Sequence, residues 1–239
     1  MDKQRMEGFR TESVDDLEEL SSAVPRELRP VFLSHYGSID KRWGILPHWE
    51  QGETCVFVTF HLADSLPHAK LVVWREQRNE WLDGHPKPWT IEEQKEYSTL
   101  FGVKLDEWLD KGYGSRILGE EKCREIMWRT LLHFDHDRYE MYAFVVMPTH
   151  VHALFKPLGE WRMESILQSW KGFSARAINE ISARTGKLWL REYWDRLVRT
   201  REHFWHIVRY IRRNPEKARL DLPVYLSHVL DDYEKGEPT

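Results

Sequence analysis

The order of elements readable in this sequence predicts an α+β fold of the ferredoxin-like, split-βαβ kind. Such a fold is an antiparallel sheet with helices on one face, extended here by a C-terminal helix and by a helical insertion after the first strand. Three observations predict it. Runs rich in β-branched and aromatic residues recur at 55–62, 139–147, 150–156 and 195–200. Apolar residues step by three and four through 120–134, 166–181 and 201–213. With 64–116 set aside as an insertion, the order is β-α-β-β-α-β-α, which puts the first and third strands at the centre of the sheet.

Residues 1–30, with "ESVDDLEEL" and two prolines, read as a flexible acidic arm. "CVFVTFHL" (55–62) reads as a buried strand. The Trp-rich segment 64–116 holds too few aliphatic residues for a core of its own and reads as an insertion. Within it, "WTIEEQKEY" opens a helix, with Thr90 as N-cap and Glu93 three residues on as its capping-box partner. "KGYGS" (111–115) marks the exit. Cys123, Met127, Leu131 and Phe134 share one helical stripe. "YEMYAFVVM", a turn at Pro148-Thr149 and "HVHALFK" form a hairpin. Ile166, Trp170, Phe173, Ala177 and Ile181 then face a core from a helix that Gly186 stops. "DRLVRT" (195–200) alternates as a strand, and a last helix over Arg201–Arg213 buries Phe204, Ile207, Val208 and Ile211. The domain thus spans 31–222 and a tail follows at 223–239.

The chain of 239 residues, 41% hydrophobic, is long enough for one substantial core. Cys55 and Cys123 make no disulfide framework or zinc spacing and suit a reducing, cytoplasmic setting. No run approaches a membrane span, and "MDKQRMEGFR" lacks the apolar core of a signal peptide. The formal net charge of −4 conceals an asymmetry: residues 156–220 carry 15 Lys and Arg against 7 Asp and Glu. A basic half in an acidic protein is either a solvated surface or a footprint for phosphates.

The chemistry-bearing stretch is "AFVVMPTHVHALFKP" (143–157). On an extended backbone His150 and His152 point to the same face, so two imidazoles can grip one metal ion or simply sit half-buried on a strand. In "REHFWHIVRYIRRNPEKARL", Tyr210 and Asn214 are helical neighbours on a polar stripe that borders the buried face. Asn214 has a second reading, because "NPEKA" also suits a fresh helix with Asn214 as N-cap and Pro215 at its first position. Tyr210 has its own: a ring straddling a core edge.

"VVMPTHVHALF" together with "YWDRLVRTREHFWHIVRYIRRNPEKARL" resembles the IS200-like single-tyrosine HUH transposases, and among them the REP-associated tyrosine transposases. "LPHWEQGETCVFVTFHLADSLP" (46–67) resembles that family's opening, so the likeness covers about residues 30–222. The resemblance implies metal ligation by His150 and His152, Asn214 as an oxygen-donating third ligand, and Tyr210 as nucleophile. The implied cofactor is Mg²⁺ or Mn²⁺, with imidazole ligation favouring Mn²⁺. The implied activity is nicking and strand transfer of single-stranded DNA through a 5′-phosphotyrosine. The substrate would be a hairpin of the REP-like palindromic type, acted on by a monomer or homodimer. Lys171, Arg176, Arg209, Arg212 and Arg213 would line the path of its backbone.

Thr149 stands where the family usually has asparagine and is expected to face away from the metal. Tyr193 is the rival nucleophile, placed before a strand rather than on the last helix. Two other functions compete. One is a non-catalytic ferredoxin-like RNA- or DNA-binding protein, although no strand carries the aromatic pattern such modules use. The other is a histidine-triad nucleotide hydrolase, whose third histidine position is Leu154 here.

Overall fold

The structure, a computed structural model, describes residues 28–34, 40–43, 47–86, 90–103, 108 and 112–230. Most of the acidic arm expected at 1–30 and residues 231–239 of the expected tail lie outside the described residues. Pro30–Leu226 form one compact unit, and residues 28, 29 and 227–230 belong to another.

The unit is built on a five-stranded antiparallel sheet. Its strands are β3 (Val56–His61), β4 (Tyr139–Val146), β5 (His150–Pro157), β6 (Trp194–Leu197) and β7 (Val224–Leu226), in the order β6-β3-β5-β4-β7. Without β7 this is the split-βαβ order, with the first and third strands of the motif central, as the sequence predicts. β7, from the stretch read as tail, pairs with β4 through Val224 and Val145. A separate hairpin of β1 (Asp40–Trp43) and β2 (Pro47–Glu50) was not anticipated from the sequence.

Two helices cover one face: α3 (Glu121–Leu132) and α4 (Met163–Ile181). Their buried stripes meet Val56, Val58 and Phe60 of β3 and Val151, Ala153 and Phe155 of β5. Trp170, 1% exposed, is the keystone. Its indole Nε1 donates to the Tyr139 hydroxyl at 3.0 Å, and that hydroxyl donates to the Leu131 carbonyl at 2.9 Å, tying α4, β4 and α3 together. A buried aromatic this size contributes about 3–5 kcal/mol relative to alanine.

α4 differs from its sequence reading in where it stops and in which residues it buries. It stops at Ile181, well before Gly186. Ala183 takes the left-handed φ of 48°. The Arg184 N–H reaches the Asn179 carbonyl and the Ala183 N–H the Glu180 carbonyl, at 2.9 and 3.3 Å. Those two bonds form a Schellman motif around an alanine where glycine is usual. Phe173 and Ile181, read as core, are 53% and 51% exposed, because Ser174 and Ile178 occupy the inward positions.

The opposite face of the sheet receives α5 (Arg201–Lys217), capped by the Thr200 hydroxyl, which accepts the His203 N–H at 3.2 Å. A bulge between Met141 and Ala143 turns Tyr142 towards this face, where its ring meets Phe204 edge-on at 5.2 Å. α5 does not end at Arg213; it runs through Pro215 to Lys217. Proline deprives only the Ile211 carbonyl of its helical donor, and the Ala218 N–H still closes on Asn214 at 3.1 Å.

The inserted segment holds α1 (His68–Gly84) and α2 (Ile91–Tyr97), which is continued by a π-helical turn over Ser98–Val103. The capping box forms as read: Glu93 accepts the Thr90 N–H at 2.6 Å, and Thr90 accepts the Glu93 N–H at 3.2 Å. Its two ends meet, the Ser115 N–H donating to Asp64 at 2.9 Å. Gly114 has φ 86°, and a Cβ there would lie 2.4 Å from the Asp64 carbonyl oxygen, so only glycine fits. Trp74, Trp81, Tyr97 and Phe101 pack together with Trp194 of β6, an aromatic cluster in place of an aliphatic core.

Candidate active site

β5 places His150 and His152 on the face that α5 covers. Both are buried, at 2% and 0% exposure, and their Nε2 atoms face one another at 3.1 Å. Each ring is fixed from behind: Thr59 on β3 meets His152 Nδ1 at 2.7 Å, and Thr149 meets His150 Nδ1 at 2.9 Å. Thr149 thus lies away from the Nε2 side, as expected, but it orients a ring rather than standing idle. Phe57 stacks on His152, ring centres 5.6 Å apart.

α5 brings Tyr210 to this pair. Its hydroxyl lies 3.4 Å from His152 Nε2, and its ring meets His152 at 5.2 Å and Phe57 at 5.9 Å, both edge-on. Tyr193, the rival, is 8% exposed and packs in the core of the other face, which removes it from the histidines.

Asn214 follows Tyr210 by one helical turn and is 2% exposed. Because α5 continues past it, Asn214 is not an N-cap. Neither Oδ1 nor Nδ2 has a hydrogen-bond partner among the described residues. A buried amide left without partners costs about 1–3 kcal/mol, a cost that a bound ion or water would offset.

Burial disfavours charge on these imidazoles. Desolvation lowers His150 to about 3 and holds His152 well below its ordinary value, with His150 and Lys217 adding to the effect. Neutral imidazoles whose Nδ1 atoms are engaged by threonine hydroxyls leave two Nε2 positions for a shared cation. Ligand atoms bound at about 2.1 Å and at right angles lie about 3 Å apart, which matches the observed spacing. The donor set therefore fits a divalent metal: two neutral imidazoles and a buried amide oxygen in want of a partner.

His61, which the sequence reading did not single out, lies beside the pair. It is the cross-strand partner of His150, 3% exposed and lowered to about 4 by burial. Ser65 holds its Nδ1 at 2.7 Å. Only the strand register reveals it.

The basic residues separate. Arg209, Arg212 and Arg213 are exposed on α5, the helix that carries Tyr210. Arg176 is exposed on α4, across the sheet from the histidines. Lys171 points inward, its ammonium donating to the carbonyls of Leu190, Arg191 and Glu192 at 3.1, 3.1 and 3.3 Å. Burial lowers it to about 8, and all three of its donors are committed, so it has none for a phosphate.

The family model described as "Transposase IS200 like" matches residues 116–214, from the turn before α3 to Asn214. That segment, less than half of the chain, is similar to the IS200-like transposases. A comparison with curated proteins finds no match. Among solved structures, the chain is similar to a REP-associated tyrosine transposase bound to a REP hairpin. The identity is 17% over 70% of this chain and 68% of that one, with a TM-score of 0.41. It is also similar to a candidate transposase from Deinococcus radiodurans R1, 15% identical over 76% of this chain and 97% of that one, with a TM-score of 0.31. Likeness at these levels does not bear on substrate. Among the described residues no helix is long and apolar enough to cross a membrane.

Proposed function

We propose that the protein nicks and rejoins single-stranded DNA through a covalent 5′-phosphotyrosine at Tyr210, acting on hairpin DNA of the REP type. The observation that carries the reading is the approach of the Tyr210 hydroxyl to within 3.4 Å of His152 Nε2, itself 3.1 Å from His150 Nε2. Packing of α5 and of the Tyr210 ring on Phe57 and His152 sets that approach, and it leaves the hydroxyl on the Nε2 side of the pair.

His150, His152 and Asn214 would hold Mg²⁺ or Mn²⁺. Such an ion, when bound, polarises a phosphodiester and offsets the charge that builds on its oxygens. The chain's own groups do the rest. Phe57 and His152 fix the Tyr210 ring, so that its oxygen rather than water meets the phosphorus. A bond forms from that oxygen to phosphorus, the bond to the 3′ oxygen breaks, and the phenolic proton ends on the departing 3′-hydroxyl. The new ester keeps the energy of the old one, so the reverse attack by a 3′-hydroxyl reseals DNA without ATP. Arg209, Arg212 and Arg213 lie on the tyrosine's helix, where they would meet the backbone of the bound strand. The identity of the hairpin as a REP-like palindrome rests on the sequence resemblance.

The test is incubation with labelled single-stranded hairpin DNA and Mn²⁺ or Mg²⁺, followed by denaturing electrophoresis. A covalent adduct should form, vanish with EDTA, and be lost in Tyr210→Phe. No adduct with any metal or hairpin, with DNA binding intact, would favour a non-cutting nucleic-acid binder.

A further inference from the structure

At the other end of the sheet, the turn into β4 brings Asp135, His136 and Glu140 together, with one potential ligand atom from each lying within 4.8 Å of the others. We propose that these three residues form a second divalent-metal site, separate from the histidine pair and serving to pin this turn. Glu140 is paired in register with Lys156, four residues along β5 from His152 and hence about 13 Å from it.

Three observations carry the inference. His136 Nδ1 lies 2.9 Å from Glu140 Oε2, the spacing of adjacent ligands on one ion, and Asp135 Oδ2 lies 3.8 Å from the ring's other nitrogen, Nε2, within the 4.8 Å that encloses one ligand atom from each residue. The Glu140 carboxylate is wholly buried, yet its Oε1 has no hydrogen-bond partner among the described residues. A carboxylate half-satisfied in the interior is costly, and burial raises its affinity for a proton despite His136. Finally, the backbone is set for this arrangement: His136 takes a left-handed φ of 64°, and Asp135 Oδ1 accepts the N–H groups of His136 and Met141 at 3.1 and 2.8 Å. That leaves Oδ2 for the site, its other neighbour being the Tyr225 hydroxyl of β7 at 3.5 Å.

Two carboxylates and one imidazole make a borderline-hard donor set, suited to Mn²⁺ and open to water at the remaining positions. His136 is half exposed, so an ion has a route in from solvent. Without metal the same geometry is an imidazole hydrogen-bonded to a carboxylate; a cation would replace the shared proton and sit off the line between the two atoms, about 2.1 Å from each.

The test uses the full chain with His150 and His152 both replaced by alanine, which isolates the second site. Mn²⁺ titration followed by electron paramagnetic resonance should show one ion bound per chain. His136→Asn, which tolerates the left-handed backbone, and Glu140→Gln should each weaken binding at least tenfold. Mn²⁺ should also raise the melting temperature of the double-alanine chain and not that of the double-alanine chain that also carries His136→Asn. Absence of bound Mn²⁺ in the double-alanine chain, or binding unaffected by His136→Asn, would overturn the proposal. Because the background lacks the histidine pair, neither outcome bears on the nicking chemistry.

Discussion

At the residue scale the site divides into what a local motif can announce and what only pairing supplies. Strand alternation put His150 and His152 on one face and helical spacing put Tyr210 beside Asn214 without knowledge of other segments, while the roles expected of them came from the family resemblance. Thr59 was not, since it meets His152 across 93 residues of sequence and becomes a neighbour only through the β3–β5 register. His61 escaped for the same reason. Asn214 was ambiguous because a residue before proline is disfavoured in a helix, and only the unbroken α5 removes the capping alternative. Its orphaned amide leads to a prediction. Asn214→Ala should leave the metal-free protein no less stable, since it breaks no hydrogen bond and removes a buried unpaired amide that costs about 1–3 kcal/mol, which offsets the small cavity it opens. It should also abolish any rise in melting temperature on adding Mn²⁺ to a chain whose second site is disabled by His136→Asn. Thermal melts with and without Mn²⁺ check both halves. Thr59→Val should slow cleavage with little loss of DNA binding, because a ring freed at Nδ1 no longer holds its ligand face; single-turnover rates against binding isotherms separate the two.

At the scale of elements, α5 is the part whose placement matters most to function. Phe204, Ile207, Val208 and Ile211 bury one side of it, and that burial carries Tyr210 to the histidines. The helical period made this face readable, whereas the length of the helix was not, because proline ordinarily marks a boundary. The insertion shows the reverse. Composition marked it as a segment short of aliphatic residues, but its aromatic core was not readable, because the packing partner Trp194 lies on β6, far along the chain. Tyr97 stacks on Trp194 at 5.4 Å with planes 15° apart. Trp194→Ala should therefore cost about 3–5 kcal/mol. Hydrogen exchange should show protection lost first in 68–103, with β3, β4 and β5 still protected; uniform loss would mean that the cluster is not a separate cooperative unit.

At the scale of the whole molecule, the sheet order followed from the sequence because βαββαβ connections admit few alternatives, while β7 and the first hairpin, short and weakly patterned, did not announce themselves. Buried histidines also set the response of the fold to acid. His61 and His150 are lowered to about 4 and about 3, and His152 well below the ordinary value. Below about 6.5 the unfolded chain takes up protons that these buried rings refuse, so stability is complete above that pH and falls as pH drops towards 4. Each buried histidine contributes a slope of up to about 1.4 kcal/mol per pH unit. Asp135 and Glu140, raised by burial, act in the opposite direction. Urea midpoints of chelated protein should decline from pH 6.5 to 4.5, and a flat profile would contradict neutral burial of the rings. The central claim concerns where DNA becomes attached, and peptide mapping of the protein–DNA adduct by mass spectrometry tests it most directly. The phosphonucleotide should sit on Tyr210; attachment at Tyr193 or any other residue would contradict it.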